Sequence, residues 1–397
     1  MNAGETSSQN FFRRHINYAI SVLEKYDGRE PFHLYLKKYF AQNKKHGSKD
    51  RKQIAAICYD YYRVGMGVSP SISISEKLLV STFLIEKKAS SILEALRPGW
   101  NQTDLDLSGK IEMVKGVFSL EKLFPFNNEL SDEIDFERFS LSFLIQPKLF
   151  IRIRPGYKKV VLQKLNSANI SYEELNDNCL AFLNNEKVSD VINIDKEAVI
   201  QDYNSQQTLN LFTHDPVNIF HHTCAWDCCA ASGGKSILLN DLIKNIDLTV
   251  TDTRKSILEN LRRRFAKAGI KSYQSSVADI SVSIEEKMKE KFNLVIADVP
   301  CSGSGTWSRT PEQLIFFEEK KIGEYSNLQK QIVLNAMKGL CDHGYLLYIT
   351  CSVFKKENEE NVAYFQDNLN LKLIESKYFK GYEMQADTLF AALFIKS

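Results

Sequence analysis

No stretch of the 397-residue chain holds about 18 consecutive apolar residues, the length a bilayer-spanning helix needs, so no membrane span is expected. The start, MNAGETSSQN, is polar and lacks the apolar segment of a secretion signal, which makes a cytoplasmic address the expectation. Cysteine is thin on the ground. Eight residues, three of them at Cys224, Cys228 and Cys229, do not form the dense paired framework of a small secreted domain, and reduced thiols are expected. Two nucleotide signatures are also missing. There is no G-x-G-x-x-G, and only Gly233, Gly234 and Lys235 remain of the G-x-x-x-x-G-K-[ST] frame, which disfavours nicotinamide dinucleotides and ATP. HHTCAWDCC brings His221, His222, Cys224, Cys228 and Cys229 together, but a zinc site needs a second ligand pair at characteristic spacing and none follows. No metal is expected.

What is present is charge with strong local asymmetry beneath a net +2. From Phe11 to Arg63 there are 12 Lys and Arg against 5 Asp and Glu, and residues 138–159, RFSLSFLIQPKLFIRIRPGYKK, carry six basic residues and no acid. Aromatic residues interleave with both blocks, a pattern suited to nucleic acid, although a single charge run more often marks a solvated face.

Residues 11–100 read as helices. In RKQIAAICYDYYRVG, Ile54, Ile57, Cys58 and Tyr61 share a face, Ser48 or Asp50 can cap the start, and Gly65 can end it. An all-helical domain is expected over 1–135, followed by a small α/β module over 136–200, where LFIRIR and CLAFLN read as strands and YKKVVLQKLNSANI as a helix. From Cys224 the order becomes strand, glycine loop, helix, repeated. This predicts a Rossmann-like, mostly parallel, doubly wound sheet over 201–397.

In such a sheet, loops at the carboxyl ends of the strands line the ligand crevice. DCCAASGGKS places Gly233 and Gly234 between a strand and a helix, where free N–H groups meet a ligand, and Asp252 ends the next strand, where an acid can take ribose hydroxyls. With Asp279 after the third strand, these residues read as an adenosine-cofactor site. Asp298 and Cys301, in DVPCSGSGT, and Cys351, in YITCS, follow two later strands and are expected at the same crevice, each cysteine followed by a serine. Gly303 and Gly305 are expected to leave room for a base.

WDCCAASGGKS, DVPCSGSGTWSRTPE and YITCSVFKKENEENV resemble, in order and spacing, the cofactor loop and the two cysteine motifs of the RsmB/Nop/Sun family of S-adenosylmethionine-dependent RNA cytosine-5 methyltransferases. PKLFIRIRPG is similar to the small module before that domain, and GSKDRKQIAAICYDYYRVG to the NusB-like helical domain of the bacterial ribosomal RNA members. The resemblance implies a class I methyltransferase fold, S-adenosylmethionine as cofactor, and RNA as partner, with ribosomal RNA favoured over transfer RNA by the NusB-like match. It implies Cys351 as the nucleophile that adds to carbon 6 of cytosine, Cys301 as the group assisting release, and Asp298 at the base edge. Covalent addition is the chemistry this methylation requires, because carbon 5 of cytosine is itself a poor nucleophile. The cofactor contacts it implies are the loop Cys229, Ala230, Ala231, Ser232, Gly233, Gly234 and Lys235, with Asp252, Asp279 and Asp298. Arg152, Arg154, Lys158 and Arg309 are the expected RNA contacts, and a monomer is expected. Two positions depart from the family pattern: Ser232 stands for the usual proline and Arg154 for the usual asparagine. The alternatives are a transfer RNA enzyme, a non-catalytic RNA-binding assembly factor, which intact Cys301 and Cys351 argue against, and a DNA methyltransferase, which leaves the TCS motif unexplained.

Overall fold

The computed structural model describes residues 6–101, 105–214, 223–243 and 245–397. It divides into two compact units that are not contiguous in sequence, one reaching residue 128 and taking in Asp135–Gln146 and Trp307–Glu318, the other made of the rest.

The first unit is helical: α1 (Ser7–Lys25), α2 (Phe32–Gln42), α3 (Ser48–Val64), α4 (Ile74–Ile85), α5 (Ser91–Leu96), α6 (Leu107–Val114) and α7 (Phe136–Phe143). Thr6 and Gln9 cap α1 reciprocally, each side chain taking the other's backbone N–H. Gly47, not Ser48 or Asp50, is the N-cap of α3, and the Asp50 carboxylate accepts its N–H at 3.1 Å. Gly65 ends that helix at φ +52°, as expected. Its inward face is Ile54, Ile57, Cys58 and Tyr62, while Tyr61 lies half-buried at the edge.

The expected boundary at 135/136 falls instead at Gln146/Pro147, because Phe139 and Phe143 of α7 pack on Phe124 with ring centroids 5.2 and 6.1 Å away. A segment from much later in the chain completes the same unit. Trp307 is buried beside Phe124 and Phe126, the carboxylate of Glu312 accepts the Phe32 N–H at 3.1 Å, and Phe316 of α12 (Gln313–Phe316) fills the space next to Gly28.

The second unit holds two sheets. The smaller, wholly antiparallel, has the order β2 (Glu173–Asn176), β3 (Cys179–Phe182), β1 (Leu149–Ile153), β4 (Ala198–Ile200), with Val161 and Leu165 of α8 (Lys158–Ser167) packed on its inner face. A short helix, α9 (Tyr203–Gln207), leads into the larger, seven-stranded sheet. Its strands run β10 (Leu371–Phe379), β11 (Leu389–Lys396), β9 (Leu340–Thr350), β8 (Phe292–Asp298), β5 (Thr223–Asp227), β6 (Ile246–Asp252), β7 (Gln274–Val277). The five from β9 to β7 are parallel; β11 is antiparallel to both neighbours. Helices α10 (Gly234–Leu242), α11 (Lys255–Ala268), α13 (Lys320–Ala336) and α14 (Glu359–Asn368) alternate with the strands. Leu258, Leu261, Phe265 and Ala268 bury one stripe of α11, and Gly269 stops it at φ +77°.

The chain steps outward from β5 to β6 to β7, then returns to lay β8 on the other flank of β5. That reversal opens a crevice at the carboxyl ends of β5 and β8, the place where doubly wound sheets bind ligands.

Candidate active site

Each wall of the crevice is the end of a strand. After β5, Ala231 and Gly233 both adopt left-handed backbone, φ +45° and +82°, and fold the loop back into α10. At Gly233 a Cβ would stand 2.7 Å from the Phe265 ring, so only glycine fits. The Ala231 N–H donates to Asp252 at 3.1 Å, joining the ends of β5 and β6. Burial works against the charge of Asp252, but the guanidinium and backbone N–H of Arg254 and the Ala231 N–H hold its carboxyl below the usual range. Asp279, after β7, is exposed and accepts from the N–H and hydroxyl of Ser281. Asp298, at the end of β8, pairs with Lys235 of α10 at 2.7 Å. Burial opposes the ammonium, yet Asp298 outweighs it and the Lys235 pKa ends above its ordinary value. Beneath them Asp227 is fully buried, accepts from the Ser236 hydroxyl at 2.5 Å, and is pushed up to about 7, by burial first and then by the charge of Asp298.

Together these ends enclose a cavity of about 450 Å³, within the roughly 300–1,000 Å³ usual for small-molecule clefts. Cys229, Ala231, Asp252, Asp279, Asp298, Cys301 and Cys351 line it, and Leu328 and Ile332 of α13 supply an apolar wall. Of the remaining expected loop residues, Ala230, Ser232, Gly233 and Gly234 are not on the lining and shape the loop from behind. The Ala230 N–H is tied to Thr251 O at 2.9 Å, and Ser232 is gripped by Arg264. Lys235 reaches the cavity through Asp298.

At one end of the cavity the two thiols meet, Cys301 Sγ and Cys351 Sγ 3.3 Å apart, both half-buried and both free. The hydrogen bond with Cys351, then burial and the charges of Cys351 and Glu357, push the Cys301 thiol well above the ordinary range. Gly305 N–H donates to Cys351 O at 2.9 Å, and Thr388 N–H donates to Gly305 O at 2.9 Å. A Cβ on Gly305 would meet Thr388 O at 2.0 Å. Gly305 therefore makes room for neighbouring backbone, not for a base as expected.

The structure corrects two expected RNA contacts. Arg152 and Arg154 lie on one face of β1 and both clamp Asp241 of α10, at 2.6 and 2.7 Å. Arg154 also donates to the carbonyls of Asp195 and Ala268. All three side chains are nearly enclosed, so these guanidiniums neutralise a buried acid and are not offered to phosphate. Lys158 is half-buried and pairs with Glu174 and Asp177, and Arg309 is half-buried in the helical unit. His221 and His222 lie outside the described residues, among which no group of three or more His, Cys, Asp or Glu is placed to hold a metal. Among the described residues no helix is long and apolar enough to cross a membrane. Sequence reading missed Arg254, visible in hindsight as the basic residue two places after Asp252, and the α13 wall, which carries no local signal.

A mostly parallel sheet with an antiparallel β11, and a cavity at its switch point walled by strand-end acids, define a Rossmann-like methyltransferase core. Residues 215–392 match the family model described as 16S rRNA methyltransferase RsmB/F. The ribosomal RNA small subunit methyltransferase B of Shewanella oneidensis is 25% identical over 288 residues, 66% of this chain and 65% of that protein. A 28S rRNA (cytosine-C(5))-methyltransferase of Mus musculus is 31% identical over 171 residues, 41% of this chain and 21% of that protein. The chain thus spans less than two thirds of these relatives. Among solved structures, PH0851 superposes with a TM-score of 0.69 at 21% identity, covering 98% of this chain and 99% of that one. A methyltransferase homologue from Pyrococcus horikoshii gives 0.56 at 17% identity, covering 68% and 92%.

Proposed function

We propose that this protein is an S-adenosylmethionine-dependent RNA cytosine-5 methyltransferase acting on ribosomal RNA, with Cys351 as nucleophile. The observation that carries the reading is the thiol pair, 3.3 Å apart at the end of a cavity that also holds strand-end acids. The residues suit the cofactor. Asp252 can accept from ribose hydroxyls, Asp279 lies further along the rim, Leu328 and Ile332 offer an apolar face to adenine, and Asp298 brings negative charge to the thiol end. Bound there, S-adenosylmethionine supplies an electrophilic methyl group.

In this reading the Cys351 thiolate adds to carbon 6 of an unstacked cytosine and makes carbon 5 nucleophilic. Cys301 first keeps its proton, because its bond to Cys351 and the charge there favour the neutral thiol. Once Cys351 is a neutral thioether those two causes vanish, leaving burial and the charge of Glu357. After carbon 5 has gained the methyl group, Cys301, its own proton passed to solvent, takes the carbon-5 proton, so that Cys351 leaves as thiolate and the 5,6 double bond is restored. The covalent bond itself times the base.

Ribosomal RNA is preferred because both named relatives are ribosomal RNA methyltransferases. Bisulfite mapping of ribosomal and transfer RNA from cells with and without the gene tests this, and a lost site in ribosomal RNA is the expected result. Cys301→Ala should accumulate a covalent RNA–protein species that Cys351→Ala does not form; the reverse pattern would overturn the assignment.

A further inference from the structure

Each cysteine is followed by a serine, and the structure shows where both serines go. Glu357 lies in the turn after β9, with its side chain completely buried. One carboxylate oxygen accepts the Ser302 N–H at 2.8 Å and the Gln329 amide at 3.0 Å. The other accepts the hydroxyls of Ser302 and Ser352. Ser302 adjoins Cys301 and Ser352 adjoins Cys351, so one acid holds both thiol-bearing loops. Gln329 of α13 extends the tie by donating to Pro300 O at 3.0 Å, on the other side of Cys301.

Glu357 does not line the cavity, so it reaches a ligand there only through the loops it holds and through its charge on Cys301. Burying a carboxylate is costly unless several donors satisfy it, and here four do. A neutral side chain of the same size cannot accept all four, because an amide replaces one acceptor by a donor. The arrangement serves a purpose that packing alone would not require: it couples two loops 50 residues apart at the one place where their separation decides the chemistry.

We infer that Glu357 is a positioning residue that, through Ser302 and Ser352, sets the distance between the Cys301 and Cys351 sulfurs. The importance of that distance for methyl transfer rests on the function proposed above; the distance itself can be measured without RNA.

A disulfide reagent such as 5,5′-dithiobis(2-nitrobenzoate) serves as the ruler. The Cys351 thiolate attacks the reagent, releasing one thionitrobenzoate, and Cys301, losing its proton, displaces the second as the Cys301–Cys351 disulfide closes. The first step reports exposure; the second, followed against pH and taken to the limit where Cys301 is ionised, reports the sulfur separation, because the charge of Glu357 also bears on the Cys301 proton. In Glu357→Gln the second step should slow at least tenfold relative to the first, with S-adenosylhomocysteine affinity unchanged within about twofold. Ser302→Ala and Ser352→Ala should each slow it by a smaller factor, and their double variant should approach Glu357→Gln, which keeps the test open if the latter does not fold. In single turnover on RNA, Glu357→Gln should release its adduct more slowly. Closure unchanged within twofold, or a parallel loss of S-adenosylhomocysteine binding, would overturn the inference. Wild-type protein that closes the disulfide rapidly but methylates no RNA would sink the proposed function and leave the positioning role standing.

Discussion

Arg264 holds Ser232 at two points: its Nη1 donates to the carbonyl and to the hydroxyl oxygen of that residue, both at 2.9 Å, while its Nε donates to Asp195 at 2.8 Å. Ser232 sits between the left-handed Ala231 and Gly233, in a loop where the resembling family carries proline. A proline ring fixes φ from within; here a guanidinium on α11, locked by an acid of the smaller sheet's region, restrains the residue from outside. Arg264→Ala should weaken S-adenosylhomocysteine binding about tenfold, roughly 1.4 kcal/mol, and leave Cys351 reactivity toward a disulfide reagent unchanged. Titration calorimetry and thiol kinetics on one preparation check both halves.

Asp227 predicts an unusual pH dependence of stability. Its carboxyl titrates near 7 when folded, against 3.8 as the ordinary value. The folded state therefore holds a proton that the unfolded state has lost, and this stabilising contribution, about 4 kcal/mol at most, is fully present below about pH 4 and disappears as pH rises to about 7. Asp227→Asn removes the titration. The melting temperature of the variant minus that of wild type should be more positive at pH 8 than at pH 4.5, and a flat difference would exclude the buried acid as its source.

The Arg152–Asp241–Arg154 cluster should matter for folding rather than for RNA. Asp241→Ala leaves two enclosed guanidiniums without their shared carboxylate and should cost about 3–5 kcal/mol, read by denaturant unfolding. Arg154→Ala should lower stability while leaving the slope of log affinity against log salt for RNA unchanged, because no phosphate contact is lost.

Gly305 offers a sharper test of the thiol geometry. Gly305→Ala drives a methyl group into Thr388 O, and the loop cannot retreat without dragging Cys351, to whose carbonyl it is bonded. RNA adduct formation should fall by roughly 100-fold, about 2.7 kcal/mol in the barrier. S-adenosylhomocysteine binding should change only a few-fold, since Asp252 and Ala231 lie on other loops.

The buried strands of the large sheet were legible because burial on both faces writes itself as an unbroken apolar run, as in LVIA of β8 and LFAALFI of β11. Edge strands carry less signal: β10 exposes alternate residues and β2 is largely exposed, so neither shows such a run. The crevice residues Asp252, Asp298, Cys301 and Cys351 could be found because each ends a strand or lies within three residues of its end, a purely local relation. Partners far away in sequence could not. Arg152 and Arg154 form a basic pair on one strand face, and nothing near them reveals that their counterion is Asp241, almost 90 residues on. In the same way YITCS and PCS could be read as thiol motifs, whereas the carboxylate joining their serines sits within a run of charges, KKENEE, that looks like solvated surface.

The helical unit needs Trp307, Glu312 and Phe316 to complete its interior, so it cannot finish folding when its own helices leave the ribosome. Its core stays open while some 160 further residues are synthesised, roughly 8–30 seconds at 5–20 residues per second. During that interval the aromatic surface around Phe32, Phe124 and Phe126 awaits its last pieces.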